Sequence, residues 1–180
     1  LLFIPKTFRE LTRRNAMALT IKPFDAPLGA EITGIDLRHD LADKSFTKIE
    51  AAWHEYGVDV IRDQNLTTSA QITFARKLGP VSERGLPAEK RKEDDDHGGT
   101  SKMFTNKRVA NGEFVGSVPE GELWFHSDLG YRLRPDQASM LQALVLPNRR
   151  RNTRFANMYK AYENIPETLK QKLLGRKVLH

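Results

Sequence analysis

The spacing of apolar residues predicts two helices in the first half of the chain. Between Asp43, a candidate cap, and Tyr56 the apolar side chains recur at helical intervals, and Gly57 is a natural stop just past the last of them. The same spacing returns after Thr67–Ser69, any of which can cap a helix, and it ends at Gly79. Both segments therefore have the start and stop signals of amphipathic helices.

Short β-prone segments occupy much of the remaining chain. Ala30–Asp36 alternates apolar and polar residues, and Val58–Ile61 contains a β-rich run. Four further β-like segments are separated by turn-forming residues. They are Met103–Val109, Leu123–Leu129, Gln137–Leu146 and Thr153–Ala156. Strands at this spacing are typical of a sandwich or jelly roll.

Two short helices close the pattern. Asn157 precedes a polar helix through Tyr162, and Pro166 opens another whose leucines share one face before Gly175. Together with the earlier helices and the many short strands, these segments predict an α+β chain that is mainly β.

Composition narrows the class of protein. With 180 residues the chain is long enough for one domain with a real core, and its 39% hydrophobic content argues against disorder throughout. No apolar run approaches the ~18 residues of a membrane-spanning helix, so we expect a soluble protein with no membrane partner. The absence of cysteine excludes disulfides, thiolate nucleophiles and Cys-type metal sites, and it favours a cytoplasmic location.

The formal net charge of +6 raises the question of an anionic partner. Residues 1–16 carry four basic side chains against one acidic side chain, so half of the excess lies there. We set these residues aside as an extension or disordered tail and assign residues 17–180 to one domain. No RNP, zinc-finger or heptad pattern accompanies the charge, which argues against nucleic acid as a partner. A basic module that binds an anionic partner through Arg149–Arg154 is left open.

One spacing carries candidate chemistry, the pair His126 and Asp128. The five histidines are never within ten positions of one another, so no helix carries a histidine pair for zinc. On a strand, residues i and i+2 point to the same face, about 7 Å apart at Cα. An imidazole and a carboxylate placed in this way can take two adjacent positions on a metal, and a further histidine would complete the facial triad of non-heme iron oxygenases. The alternative is a histidine hydrogen-bonded to a neighbouring carboxylate at a strand end.

Further motifs place this pair in a longer pattern. In chain order they are Pro27–Leu37, Tyr56-Gly57-Val58, Arg62-Asp63-Gln64, Phe74-Ala75-Arg76 with Leu78-Gly79, His126-x-Asp128, Pro135, Leu141–Leu146 with Pro147, Asn152-Thr153 and Ala161-Tyr162. In this order they resemble the taurine and chlorophenoxyacetate dioxygenase family, whose members depend on Fe(II) and 2-oxoglutarate, over essentially residues 20–180. The resemblance implies an incomplete double-stranded β-helix, which is a jelly roll, with N-terminal flanking helices.

The resemblance also implies roles for three residues. His126 and Asp128 correspond to the first two iron ligands, and Thr153 corresponds to the hydroxyl that holds the 2-oxoglutarate carboxylate. A hydroxyl donates one hydrogen bond to an anion without competing for the metal; the alternative for Thr153 is an ordinary strand residue. The family's third iron ligand, a distal histidine, and the arginine that pairs with the other 2-oxoglutarate carboxylate have no match in this chain. His180 is a poor substitute because it follows a helical stretch.

Two positions depart from the family pattern. Arg150-Arg151 stand where the family has a glycine pair, so the turn before Thr153 differs from that of the family. Glu122 stands where taurine-type members have asparagine, and an acidic group is poorly suited to a sulfonate, which disfavours taurine as the substrate. The neighbouring aromatic residues Trp124 and Phe125 are expected in the core.

The sequence thus predicts the N-terminal half of an Fe(II)- and 2-oxoglutarate-dependent dioxygenase. We expect it to hydroxylate a small, anionic organic substrate with O2 as cosubstrate, giving succinate and CO2 as coproducts, and a homo-oligomer is left open. One alternative is a non-catalytic truncated or degenerate fragment of such an enzyme. The other is the basic anion-binding module described above.

Overall fold

The computed structural model describes residues 2–4, 18–82, 111–112, 124–146, 148 and 152–177, with the backbone alone for residues 2–4. The strands are β1 (Leu2–Ile4), β2 (Thr20–Pro23), β3 (Ala30–Thr33), β4 (Asp59–Arg62) and β5 (Leu141–Gln142). The helices are α1 (Asp43–Tyr56), α2 (Thr68–Leu78), α3 (Met158–Glu163) and α4 (Glu167–Leu173). The chain divides into a first unit, residues 1–35, 42–63 and 125–180, and a second unit, residues 36–41 and 64–124.

The five described strands form one mixed sheet in the first unit, in the order β2-β3-β4-β1-β5. β2 and β3 are antiparallel, and the other neighbouring pairs are parallel. In the β3–β4 ladder Ala30 is opposite Asp59 and Ile32 is opposite Ile61. A mixed sheet accompanied by helices confirms the α+β part of the fold expected from the sequence.

The core of the first unit lies between this sheet and α1. Because successive strand residues point to opposite faces, Ala30 and Ile32 share one face of the sheet. Ile61, which is opposite Ile32 in the ladder, lies on the same face. All three are fully buried, and α1 packs against β3 and β4 with Ile49 fully buried as well. Full burial of an isoleucine side chain contributes about 1.5–3 kcal/mol. The apolar residues that recur at helical spacing in α1 therefore form the contact that holds this helix on the sheet.

The structure confirms the predicted C-terminal end of α1, and the N-cap lies one residue before the predicted one. Gly57 caps the helix in the left-handed conformation, with φ 73°, and its N–H donates to the Trp53 carbonyl at 2.8 Å. The N-cap is Ala42 and not Asp43, and no side chain caps this end. Asp43 instead lies in the first turn, where a carboxylate is favoured by the helix dipole.

The predicted helix α2 is confirmed within the second unit. Thr67 is its N-cap, and the Thr67 hydroxyl accepts a hydrogen bond from the Ala70 N–H at 3.1 Å. Phe74 of α2 is buried. Gln64, just before the helix, is also buried, and its Oε1 accepts a hydrogen bond from the Leu37 N–H at 2.8 Å. This bond satisfies a buried amide that would otherwise destabilise the unit.

The two short helices predicted near residue 160 are confirmed. α3 begins after Asn157, whose side chain accepts a hydrogen bond from the Lys160 N–H at 3.0 Å, and α4 begins directly after Pro166. Neither helix buries a residue. Within the described residues, no helix is both long enough and apolar enough to cross a membrane.

Several of the expected strands do not form. Residues 124–129 contain no strand, and Leu129 has a positive φ of 52°, which reverses the chain and prevents a ladder from continuing. Residues 153–156 are likewise irregular, and Gln137–Leu146 contributes only Leu141–Gln142 to the sheet. Among the described residues, more therefore lie in helices than in strands, which differs from the expected mainly β chain. The segment Met103–Val109 lies outside the described residues.

Residues 2–4 differ from the tail that the sequence analysis set aside. They form β1, which lies between β4 and β5 and runs parallel to both. The run Leu-Phe-Ile is apolar and β-prone, so it is suited to a position between two strands. The rest of the expected tail, residues 5–16, lies outside the described residues.

Replacing Gly29 by alanine is expected to destabilise the first unit more than replacing Gly57 by alanine. Both glycines have positive φ, 100° and 73°, and an L-residue there costs about 1–2 kcal/mol. A Cβ on Gly29 would also lie 2.7 Å from the Phe24 ring, whereas a Cβ on Gly57 would have nothing within 4 Å. Urea unfolding of the two variants measures the difference. Equal losses of stability would contradict the steric part of this account.

Candidate metal centre

His126 and Asp128 lie in an irregular segment that turns directly after Asp128. The Arg132 N–H donates to the Leu129 carbonyl at 2.9 Å, and the Gly130 N–H donates to the Ser127 carbonyl at 3.4 Å. The strand geometry that the sequence suggested for the pair is therefore wrong. A turn replaces it and still places the two side chains together.

The two predicted metal donors are in contact. His126 Nε2 is 3.3 Å from Asp128 Oδ1, and the two side chains are 55% and 54% exposed. Two ligand atoms ~2.1 Å from a first-row metal and at right angles to each other are ~3.0 Å apart. The observed distance therefore fits neighbouring positions on one ion, and the exposure leaves both atoms accessible. It also fits the alternative of a hydrogen-bonded histidine and carboxylate, which metal titration can distinguish.

A serine that sequence reasoning missed completes this cluster. Ser139 Oγ donates a hydrogen bond to Asp128 Oδ2 at 2.5 Å. This length is in the range of strong hydroxyl-to-carboxylate bonds. Ser139 is 11 residues beyond Asp128, and no spacing rule links a hydroxyl to a carboxylate at that separation. It stands two residues before β5, so sheet pairing, which is a tertiary feature, helps to set its position.

Thr153 lies on a different segment that approaches this cluster through its neighbour. The Arg154 guanidinium lies over the Phe125 ring, 5.8 Å from the ring centroid, and Phe125 directly precedes His126. An exposed cation–π contact of this kind contributes about 0.5–1 kcal/mol. Thr153 itself is exposed, and no described residue hydrogen-bonds to its hydroxyl. No contact within the described part of the chain joins Thr153 directly to His126 or Asp128.

The expectation that Trp124 and Phe125 are core residues is wrong. Their exposed fractions are 92% and 65%. The described residues provide no apolar layer over them, and the contact that Phe125 does make is with the charged side chain of Arg154. Both side chains therefore present large exposed apolar surfaces.

Asn157 fixes the far end of the Thr153 segment. Its Oδ1 accepts a hydrogen bond from the Lys160 N–H at 3.0 Å, and its Nδ2 donates to the Pro27 carbonyl at 2.8 Å. Pro27 opens the first of the sequence motifs described above. One side chain therefore joins the start of α3 to the Pro27–Leu37 motif, 130 positions earlier in the chain.

His126 and Asp128 are the two candidate metal donors at this place. No group of three or more histidine, aspartate or glutamate side chains among them could hold a metal ion. An imidazole and a carboxylate are nevertheless donor types that suit iron in non-heme oxygenases. The pair is therefore chemically suited to an iron site that takes its other ligands from elsewhere. The sequence features Glu122, Arg150-Arg151 and His180 lie outside the described residues.

Comparison with known proteins identifies relatives over most of the chain. An (S)-phenoxypropionate/alpha-ketoglutarate-dioxygenase of Sphingobium herbicidovorans is 32% identical over 166 residues, which cover 91% of this chain and 54% of that protein. An alpha-ketoglutarate-dependent 2,4-dichlorophenoxyacetate dioxygenase of Cupriavidus pinatubonensis is 30% identical over 170 residues, 91% of this chain and 58% of that protein. The chain thus spans about half the length of the curated relatives it matches.

A solved structure and a family model were also matched. The crystal structure of a taurine dioxygenase from Burkholderia xenovorans is 30% identical, with a TM-score of 0.36, and the match covers 38% of this chain and 25% of that one. The model of the taurine catabolism dioxygenase TauD, TfdA family matches residues 20–180. This match confirms the resemblance noted in the sequence over the same residues. The chain therefore belongs to the taurine catabolism dioxygenase TauD, TfdA family.

Proposed function

We propose that this chain is the N-terminal part of an Fe(II)- and 2-oxoglutarate-dependent dioxygenase and that His126 and Asp128 are two of its iron ligands. The observation that carries the proposal is the 3.3 Å approach of His126 Nε2 to Asp128 Oδ1 inside the segment that matches the family. The dioxygenases named among the relatives support the same activity.

The two side chains supply complementary donor atoms. A neutral imidazole nitrogen and a carboxylate oxygen are the donor types of the two-histidine, one-carboxylate sites in non-heme iron oxygenases. Because His126 and Asp128 lie two residues apart on one segment with their side chains in contact, they would approach an ion from one side and leave its other side accessible to small ligands. Fe(II), when bound, supplies the oxidative chemistry in which O2, 2-oxoglutarate and a C–H bond are converted to succinate, CO2 and a hydroxyl group.

Thr153 is assigned to the 2-oxoglutarate carboxylate. Its exposed hydroxyl has no described hydrogen-bond partner, so it can donate to an anion without first breaking a protein contact. The adjacent Arg154 guanidinium is held over Phe125 and adds positive charge to the same segment. Positive charge close to the site favours an anionic cosubstrate at the encounter stage.

The substrate is assigned to the class of small organic anions. The relatives are named for phenoxypropionate and 2,4-dichlorophenoxyacetate, both of which combine an aromatic group with a carboxylate. The exposed aromatic side chain of Phe125, which directly precedes His126, together with Arg154, suits a ligand with an apolar group and a negative charge.

The mixed sheet is assigned to part of a double-stranded β-helix, on the strength of the family match. The cytoplasmic location and the homo-oligomer considered from the sequence stay predictions. So do the two alternative functions, a non-catalytic fragment and a basic anion-binding module.

Replacing His126 by alanine or Asp128 by asparagine is expected to weaken Mn(II) binding by at least about 100-fold, because second-shell partners alone already account for 10–100-fold in metal affinity. Mn(II) serves as the probe since it does not react with O2 and is followed directly by electron paramagnetic resonance. The whole chain is titrated with and without 2-oxoglutarate.

His39→Ala is the matched control, since His39 is exposed and belongs to the second unit. Its affinity for Mn(II) should equal that of the parent chain. If the parent, His126→Ala and His39→Ala bind Mn(II) equally, the pair is an ordinary histidine–carboxylate contact. The contact between His126 and Asp128 would then no longer support the proposed function.

A further inference from the structure

The Asp128 carboxylate is held at both of its oxygens. Oδ1 lies 3.3 Å from His126 Nε2, and Oδ2 accepts the Ser139 hydroxyl hydrogen bond at 2.5 Å. The side chain is nevertheless 54% exposed, so packing alone does not fix its orientation. The hydrogen bond from Ser139 is the contact that distinguishes one oxygen from the other.

Fixing the carboxylate matters for any ion that it binds. The terminal torsion of an aspartate is broad, and an exposed carboxylate without a second contact samples many orientations. A hydroxyl bonded to Oδ2 restricts that torsion and occupies one oxygen, which leaves Oδ1 beside the imidazole of His126. The donor pair is then arranged before an ion arrives, and less ordering has to occur on binding.

Ser139 is itself placed by the sheet. It stands two residues before Leu141, which is in register with Leu2 of β1 in a parallel ladder. The segment before Asp128 has no such support, because residues 124–127 form no strand. The hydrogen bond therefore links the Asp128 side chain, which is on an irregular segment, to a residue whose position is set by the sheet.

We infer that Ser139 is a positioning residue for the iron ligand Asp128, a role that rests on the proposed function of the His126–Asp128 pair. Outer-shell partners of this kind typically account for 10–100-fold in metal affinity. Ser139 does not touch the ion in this arrangement. It acts through the orientation of the carboxylate.

The test is a Mn(II) titration of the whole chain and three variants, followed by electron paramagnetic resonance. Ser139→Ala is expected to lower the affinity by about 10–100-fold, and Ser139→Thr, which keeps the hydroxyl, is expected to recover most of the loss. Ser127→Ala is the matched control, since Ser127 is exposed, lies between the two donors and contributes its backbone carbonyl alone to the described hydrogen bonds. Circular dichroism without metal checks that each variant has the parent fold.

The outcomes separate this inference from the proposed function. If Ser139→Ala binds Mn(II) like the parent while His126→Ala loses binding, the inference is overturned and the proposed function stands. If Ser127→Ala weakens binding as much as Ser139→Ala, or if Ser139→Thr recovers none of the loss, the effect is a general loosening of the turn and the inference is again overturned. If the parent binds no more tightly than His126→Ala, the proposed function itself fails.

Discussion

Replacing Asp59 by valine is expected to raise the free energy of unfolding by about 3 kcal/mol more at pH 7 than at pH 3. Asp59 is the first residue of β4 and is fully buried, and neither of its carboxylate oxygens accepts a hydrogen bond. It shares a sheet face with Ile61 and is opposite Ala30, both fully buried as well. A carboxylate in such surroundings is poorly solvated, and within the described residues it has no hydrogen bond to compensate.

The pH dependence of the stability follows from the direction in which burial shifts the pKa of Asp59. Burial raises the pKa of Asp59 from 3.8 to about 6. Between pH 3.8 and about 6, the folded chain therefore keeps a proton on Asp59 that the unfolded chain has released. Its stability contribution is fully present below pH 3.8 and is lost as the pH rises through about 6, by about 1.4 kcal/mol for each unit of difference between the two pKa values.

Valine removes the ionisable group and suits a buried strand, because it is β-branched and similar in size to aspartate. The measurement is urea unfolding of the parent and Asp59→Val from pH 3 to pH 7. Asp59→Asn is the companion variant, which should abolish the pH-dependent difference while gaining less stability, since its amide stays without a partner. A stability difference between parent and Asp59→Val that is the same at pH 3 and pH 7 would contradict the account.

Asp36, which lies in the second unit, serves as a control because its contribution to stability is expected to change with pH in the opposite direction. The hydrogen bond from the Arg38 side chain lowers the pKa of Asp36 from 3.8 to about 2. Its contribution to stability is therefore present above pH 3.8 and is lost as the pH falls through about 2. Asp36→Asn should destabilise the chain at pH 7, where Asp59→Val stabilises it.

Joining this chain to the remaining part of a relative is expected to produce 2-oxoglutarate turnover that the 180-residue chain does not show. The described residues supply two proposed metal donors, His126 and Asp128, and the match of this chain covers 54% of the Sphingobium dioxygenase. Two protein donors bind Fe(II) less tightly than the three of a facial triad, so the 180-residue chain should form little of the reactive complex. A fusion that supplies further donors should hold the ion and the cosubstrate together.

The same fusion should change the association state. Many large apolar side chains between residues 124 and 174 are exposed, and an uncovered apolar surface favours self-association. They are Trp124, Phe125, Tyr131, Leu133, Leu144, Val145, Leu146, Phe155, Met158, Tyr159, Tyr162, Leu169, Leu173 and Leu174. We expect the 180-residue chain to elute as a mixture of species and the fusion to elute as one species in gel filtration.

Succinate formation with Fe(II), 2-oxoglutarate and ascorbate measures the turnover, alongside light scattering for the association state. The fusion carrying His126→Ala is the control, and it should keep the single species while losing succinate formation. Clear succinate production by a monodisperse 180-residue chain would show that the chain needs no further part, and it would direct the search for other ligands to its own residues.

The local elements could be predicted from the sequence, and the candidate metal donors could be named from it. α1 and α2 follow from apolar spacing that ends at Gly57 and Gly79, because helix boundaries depend on nearby residues. The spacing of His126 and Asp128, together with the family resemblance, singled out the pair, although an irregular segment that turns at Leu129 holds them in place of the expected strand. Two positions apart, such residues lie close in either conformation, so the two side chains are in contact, while their role as metal donors stays a prediction.

Tertiary structure alone decided what surrounds those residues. Ser139 reaches Asp128 because β5 is held in the sheet by β1, and strand pairing between distant segments leaves no local signal. Asp59 looked like one polar residue in a β-rich run, and only the pairing of β3 with β4 places it on the fully buried face. Trp124 and Phe125 appeared to be core residues, because composition indicates how apolar a side chain is and does not indicate which neighbours cover it. Burial is a property of distant partners, so it had to come from the fold.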